Sequence, residues 1–122
     1  MRFNNDKPIF VQIADTLMRD VIAGRLAPEA RLASARDLAT SLEVNPNTAV
    51  RALQILADAG IARNERGTGY FVAAGGAERA RESLRRQFFD AELPAVFRAM
   101  DQLGITLQEV EQKYQEKSHE KE

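Results

Sequence analysis

The stretch SARDLATSLEVNPNTAVRALQILADAG, residues Ser34 to Gly60, decides the fold. Ser34 with Asp37 three residues on resembles a capping box, in which a side-chain oxygen satisfies a first-turn N–H, and it opens a short helix to Leu42. After a brief turn at Glu43-Val44, Asn45 can cap a second helix. Pro46 suits its first position, where the missing N–H costs nothing and the fixed φ is already helical. Val50, Leu53, Ile55 and Leu56 supply apolar contacts, and Gly60 stops the helix after about Ala59. Two helices joined by so few residues read as a helix-turn-helix.

Upstream, Ile9, Ile13, Leu17 and Val21 recur every four positions between Pro8 and Ala23, while Asp15, Arg19 and Asp20 fall off that stripe. This spacing predicts an amphipathic helix ended by Gly24. Arg31-Leu32 is a short extended piece at best. Downstream, Ile61 to Asn64 and Tyr70 to Val72 read as strands, and the glycines of Glu65-Arg-Gly-Thr-Gly69 permit the positive φ of a hairpin loop. The order over residues 1–74 predicts a mostly α fold with a small β-hairpin wing, a winged helix-turn-helix.

Ala73-Ala-Gly-Gly76 reads as a boundary, and residues 75–122 as a two-helix C-terminal segment. Leu84, Phe88, Phe89, Leu93, Val96, Phe97, Met100 and Leu103 form a stripe spaced by threes and fours. Pro94 predicts a kink in it. Gly104 breaks the helix, Thr106 can cap a last one carrying Leu107, Val110 and Tyr114, and the charged end from Lys117 to Glu122 is expected to fray. Two helices cannot enclose a typical ligand cavity of ~300 Å³ or more. The stripe therefore reads as a dimerisation face, with Leu84, Phe88, Phe89, Leu93, Phe97 and Met100 buried against a two-fold mate of the same chain.

In a helix-turn-helix the second helix enters the major groove with its N-terminal side chains at the base edges. Here those are Asn45, Asn47, Thr48 and Arg51. Asn can pair with adenine, Thr can place its methyl on thymine, and Arg can grip guanine or phosphate. Asn45 ranks last because capping already employs its side chain. Arg36 is placed to meet a phosphate, against a simpler reading as a surface ion pair with Asp37 or Glu43. At the hairpin tip Arg66, Gly67, Thr68 and Gly69 combine a cation with unobstructed backbone, which suits close approach to the sugar-phosphate chain or minor groove. The Gly67-Thr-Gly69 loop is not a nucleotide cradle, since a strand and not a helix follows it.

Bulk properties bound these readings. The chain has 122 residues, 44% hydrophobic and 29% charged, and no cysteine, so neither a disulfide framework nor a thiolate metal site can be built and a reducing cytoplasm is the expected location. No stretch reaches the ~18 apolar residues of a membrane span, and the N-terminus lacks the apolar core of a signal peptide. The net charge of −1 weighs against nucleic acid and keeps open a rival reading, a winged helix that binds another protein and never DNA. Residues 1–74 carry nine Lys/Arg against eight Asp/Glu, too small an excess to decide. His119 has no neighbouring Cys or second His, so no metal is expected. No nucleophile with a base and no carboxylate pair suggests an enzyme, and no cofactor is implied.

Several stretches are similar to the GntR regulators, within them the short YtrA-like branch: Lys7-Pro-Ile-Phe-Val-Gln-Ile13, Gly24-Arg-Leu26, Leu32 with Ser34, Arg36, Asp37, Leu38 and Ala39, Val44-Asn-Pro-Asn-Thr48 with Arg51 and Ala52, Gly60, and Arg66-Gly-Thr-Gly-Tyr-Phe-Val72. The resemblance implies a homodimer on a two-fold related operator in double-stranded DNA, commonly a repressor, often beside genes for an ABC transporter. It implies DNA contacts at Arg36, Asn47, Thr48, Arg51 and Gly67. Glu29 and Ala33 stand where the family commonly has Gly and Pro. Glu43 stands where the inter-helix turn often has Gly, so either a strained left-handed backbone or a slightly shifted turn is expected there.

Overall fold

The computed structural model describes residues 2–120 and divides into two units, one ending at Arg85 and the other beginning at Arg86. In the first unit α1 (Ile9–Ile22), α2 (Ala35–Leu42) and α3 (Pro46–Asp58) precede a hairpin of β1 (Ala62–Glu65) and β2 (Gly69–Val72), and α4 (Gly76–Gln87) follows. Ile13, Met18, Leu53, Leu56, Ile61 and Val72 are its largest fully buried side chains. Burying each is worth about 1.5–3 kcal/mol relative to exposure. Ala49 and Ala52, also fully buried, carry only a methyl where α3 packs against α1 and α2, which lets the helix backbones approach closely.

The ends of the two central helices follow the local chemistry of the sequence. The Ser34 hydroxyl accepts from the Asp37 N–H at 3.1 Å, and the Asn45 side chain accepts from the Asn47 N–H at 2.8 Å. Glu43 closes α2 in the left-handed region at φ 56°, ψ 48°. That turn lets the Val44 N–H reach the Ala39 carbonyl at 3.0 Å and satisfies a helix-end acceptor.

Helix α1 departs from the expected stripe. Ile9 is exposed, whereas Gln12 and Asp15 are buried. The preceding segment covers them: Gln12 Nε2 donates to the carbonyls of Asn4 at 2.8 Å and Lys7 at 2.7 Å, and Lys7 Nζ meets Asp15 Oδ2 at 3.0 Å. Buried polar groups persist where partners are supplied, and no periodicity argument can see partners outside the helix.

In the hairpin Ala62 pairs with Val72 and Glu65 with Gly69. The Arg31-Leu32 piece adds to its edge through a bridge from Arg31 to Phe71, with the Leu32 N–H on the Tyr70 carbonyl at 2.8 Å and the Val72 N–H on Ala30 at 2.9 Å. The expected boundary after Ala74 moves outward. Ala80 is fully buried, Ala77 and Leu84 pack on the core, and Arg79 Nη1 donates to the Gly60 and Ala74 carbonyls at 3.1 and 2.8 Å. Small residues at 73–76 allow close docking here.

The second unit holds α5 (Leu93–Leu103) and α6 (Leu107–Glu120), with a π-helical turn at Phe88–Glu92 ahead of α5. In that turn the Leu93 N–H reaches the Phe88 carbonyl. One widened turn accommodates Pro94, which lacks an N–H and would crowd the carbonyl of a tighter turn. Gly104 is left-handed and ends α5, and Thr106 caps α6 by accepting from the Glu109 N–H at 3.2 Å. The end expected to fray from Lys117 is helical through Glu120; the His119 side chain and residues 121–122 lie outside the described residues.

Candidate nucleic-acid interface

The N-cap bond of Asn45 turns the chain into α3 and leaves the outer face of its first two turns in solvent. Asn47, Val50, Arg51 and Gln54 are exposed there, spaced by threes and fours as one helix face requires. Thr48 is half-buried. Val50 was expected to pack inward, and it is 45% exposed instead. The core contacts fall to Ala49, Ala52, Leu53 and Leu56, one helical step away.

Arg36 is exposed in the first turn of α2, and among the described residues it forms no ion pair with Asp37 or Glu43. At the hairpin tip Arg66, Gly67 and Thr68 are exposed, with the Thr68 N–H closing the turn on the Glu65 carbonyl at 2.9 Å and Gly67 at φ 77°. Arg63 on β1 is engaged within the fold. Its Nε donates to Glu65 at 3.0 Å and its Nη1 meets Glu29 at 2.6 Å. Chiefly the Glu65 hydrogen bond, with Glu29 adding to it, holds this guanidinium protonated even above the ordinary arginine range. Arg63 thus balances the carboxylates of Glu65 and Glu29, while Arg66 has no ion-pair partner among the described residues. Arg31, also exposed, runs beside the wing, where a Cβ at Gly69 would come 3.1 Å from its Nε.

The positions expected to touch DNA therefore divide into an exposed set, Arg36, Asn47, Arg51, Arg66, Gly67 and Thr68, and two with prior engagements. Asn45 is exposed but holds its cap, and Thr48 is partly covered. Sequence reading passed over Val50 and Arg31. The spacing of Val50 from Asn47 and Gln54 could have found the first; the second needs the strand pairing that brings residue 31 to the wing. Among the described residues no group of three His, Cys, Asp or Glu could hold a metal ion, and no helix is long and apolar enough to cross a membrane.

Residues 10–72, from the second residue of α1 to the end of the wing, match the family described as bacterial regulatory proteins, gntR family. The chain belongs to the gntR family. A relative, the HTH-type transcriptional regulator YhcF of Bacillus subtilis, is 32% identical over 111 residues, 89% of this chain and 88% of that one. A GntR family transcriptional regulator from Listeria monocytogenes is similar in structure with a TM-score of 0.72 and 30% identity, over 93% of this chain and 98% of its own. YtrA from Sulfolobus acidocaldarius, a GntR-family transcription factor, gives a TM-score of 0.57 and 32% identity over 74% and 92%. The gntR chain described here is thus a winged helix-turn-helix transcriptional regulator and not an enzyme. Both the fold and the family expected from its sequence hold.

The second unit carries its apolar side chains outward. Phe89, Phe97, Leu103, Leu107 and Tyr114 are exposed, the last three by about two-thirds of their surface or more. Phe88 stacks edge-on against Phe89 at 5.4 Å between centroids. Leu93 and Met100 are half-buried. Leu84, the first residue of the predicted stripe, is half-buried and packs on the core of the first unit.

Proposed function

We propose that this gntR regulator binds operator DNA as a homodimer in the cytoplasm, with α3 in the major groove and the wing against the adjacent backbone. The observation that carries the reading is the exposed face of α3. Asn47 and Arg51 offer hydrogen-bond donors and acceptors suited to adenine and guanine edges, and Val50 between them offers the apolar surface that suits a thymine methyl. Arg36 and Arg66 supply phosphate contacts that fix register. Gly67 leaves room for the sugar-phosphate chain, and Thr68 adds a hydroxyl.

The exposed Phe88, Phe89, Val96 and Phe97, joined by Leu103, Leu107 and Tyr114, support the second half of the proposal. A monomer with so much exposed apolar surface would associate, and a two-fold mate covers it economically. The mate supplies a second recognition helix for a half-site ~34 Å away, one turn of DNA. Linking two weak half-site contacts raises affinity by about 10²–10⁴. Occupancy of such an operator blocks polymerase, so repression is the expected sense; the motif resemblance to the short YtrA-like branch extends the reading to ABC-transporter genes as targets.

The test is binding of the purified protein to a fragment from upstream of its own gene, against a scrambled fragment of equal length, over a salt series. Selective binding that weakens steeply with salt supports the reading. A folded dimer with no preference at any salt, on this fragment and on duplexes selected from random sequence, would overturn it in favour of a protein-binding winged helix.

A further inference from the structure

Two arginines of the first unit lie over aromatic rings, and they differ in what their N–H groups do. Arg63 lies 5.1 Å from the Phe71 centroid while its Nε and Nη1 engage Glu65 and Glu29. The Arg51 guanidinium carbon lies 4.0 Å from the Phe10 centroid, and among the described residues it has no hydrogen-bond or ion-pair partner. A ring face attracts the cation through its quadrupole and occupies none of the five N–H donors. Arg51 is therefore held in place with its whole recognition capacity unused. The holding group comes from another helix: Phe10 is the second residue of α1, half-buried against the core, and so is itself fixed.

We propose that Phe10 is a positioning residue for DNA recognition, its ring ordering the Arg51 guanidinium on the outer face of α3 before DNA arrives. The proposal rests on the reading of α3 as the recognition helix. An arginine free in solvent loses rotamer freedom when it binds; one already stacked loses less, so the ring lowers the cost of the contact. It also restricts the direction in which the planar N–H fork can point, and direction decides which base edge is met. Phe10 would thus influence sequence preference without touching DNA.

The experiment selects duplexes from random sequence with the unmodified full chain and uses the enriched duplex as probe. Phe10→Leu keeps apolar bulk on the core and removes the ring. Replacement of Phe10 by pentafluorophenylalanine keeps the shape and reverses the quadrupole, so it carries the test if Phe10→Leu folds poorly. Each change is expected to weaken binding about five- to twentyfold, with a loss of preference at the base pair read by Arg51. Phe10→Tyr is expected to bind as the unmodified chain does. In an Arg51→Ala background the same changes are expected to alter binding by less than about twofold. Equal losses in both backgrounds, or full binding by the fluorinated chain, would overturn the role of Phe10 while leaving DNA binding intact. Failure to enrich any duplex would overturn the recognition-helix reading and this proposal with it.

Discussion

A Cβ placed on Gly76 would lie 2.6 Å from the carbonyl oxygen of Ile61. The start of α4 therefore presses against the chain entering β1, and neither partner is a flexible side chain that could give way. Gly76→Ala is expected to destabilise the first unit by about 1–3 kcal/mol through this overpacking, in spite of the better helix propensity of Ala. Thermal unfolding should show a fall in Tm of roughly 4–8 °C per kcal/mol. An unchanged Tm would mean that α4 is free to shift.

Glu43 places two properties at one position, a left-handed backbone and an exposed negative charge. Glu43→Gly is expected to relieve the backbone and raise stability by about 0.5–1 kcal/mol. It should also tighten DNA binding, since a carboxylate next to the recognition helix repels phosphate. Glu43→Gln separates the two: it should tighten binding to the same extent at low salt with no gain in Tm. Equal Tm for all three proteins would argue that the turn carries no strain.

Arg36 and Arg51 are expected to differ in kind. Arg51→Ala should weaken operator binding by about 1–3 kcal/mol and relax preference at one base pair, leaving the dimer intact. Arg36→Ala should weaken binding to all sequences alike and lower the slope of log K against log salt by about 1. Loss of equal size on operator and random DNA for Arg51→Ala would reassign it to a phosphate.

Val50 is exposed, so Val50→Ala should leave the unfolding free energy within about 0.5 kcal/mol of the parent value. Selection from random duplexes should nevertheless show weaker preference for thymine at one position per half-site. Unaltered preference would place Val50 outside the groove.

Phe97→Asp puts a charge on the exposed face of α5, a face expected to be buried against the mate. Sedimentation should report monomers, and operator affinity should fall by about 10²–10⁴ as avidity is lost. Melting of the first unit should be unchanged. A variant that remained dimeric would move the interface to α6.

Capping and turn chemistry carried most of the fold from sequence. Ser34, Asn45, Pro46 and Gly104 act on neighbours within a few residues, so their effect on helix ends is local and readable from residue type. The same holds for the wing, where Gly67 sits in a loop too short for other backbones, and for the family likeness, since its motifs lie at those turns. What depends on distant partners needed the tertiary structure. Asp15 and Gln12 are buried because the preceding segment returns over α1 to pair with them. Leu84, the first residue of the predicted stripe, packs on the core of the first unit, a partner that spacing along the helix does not reveal. Arg51 rests on Phe10 because α1 and α3 pack together, and periodicity within either helix contains no term for that crossing. Local backbone preference is written residue by residue; burial and side-chain orientation are set by whichever surfaces the folded chain brings into contact.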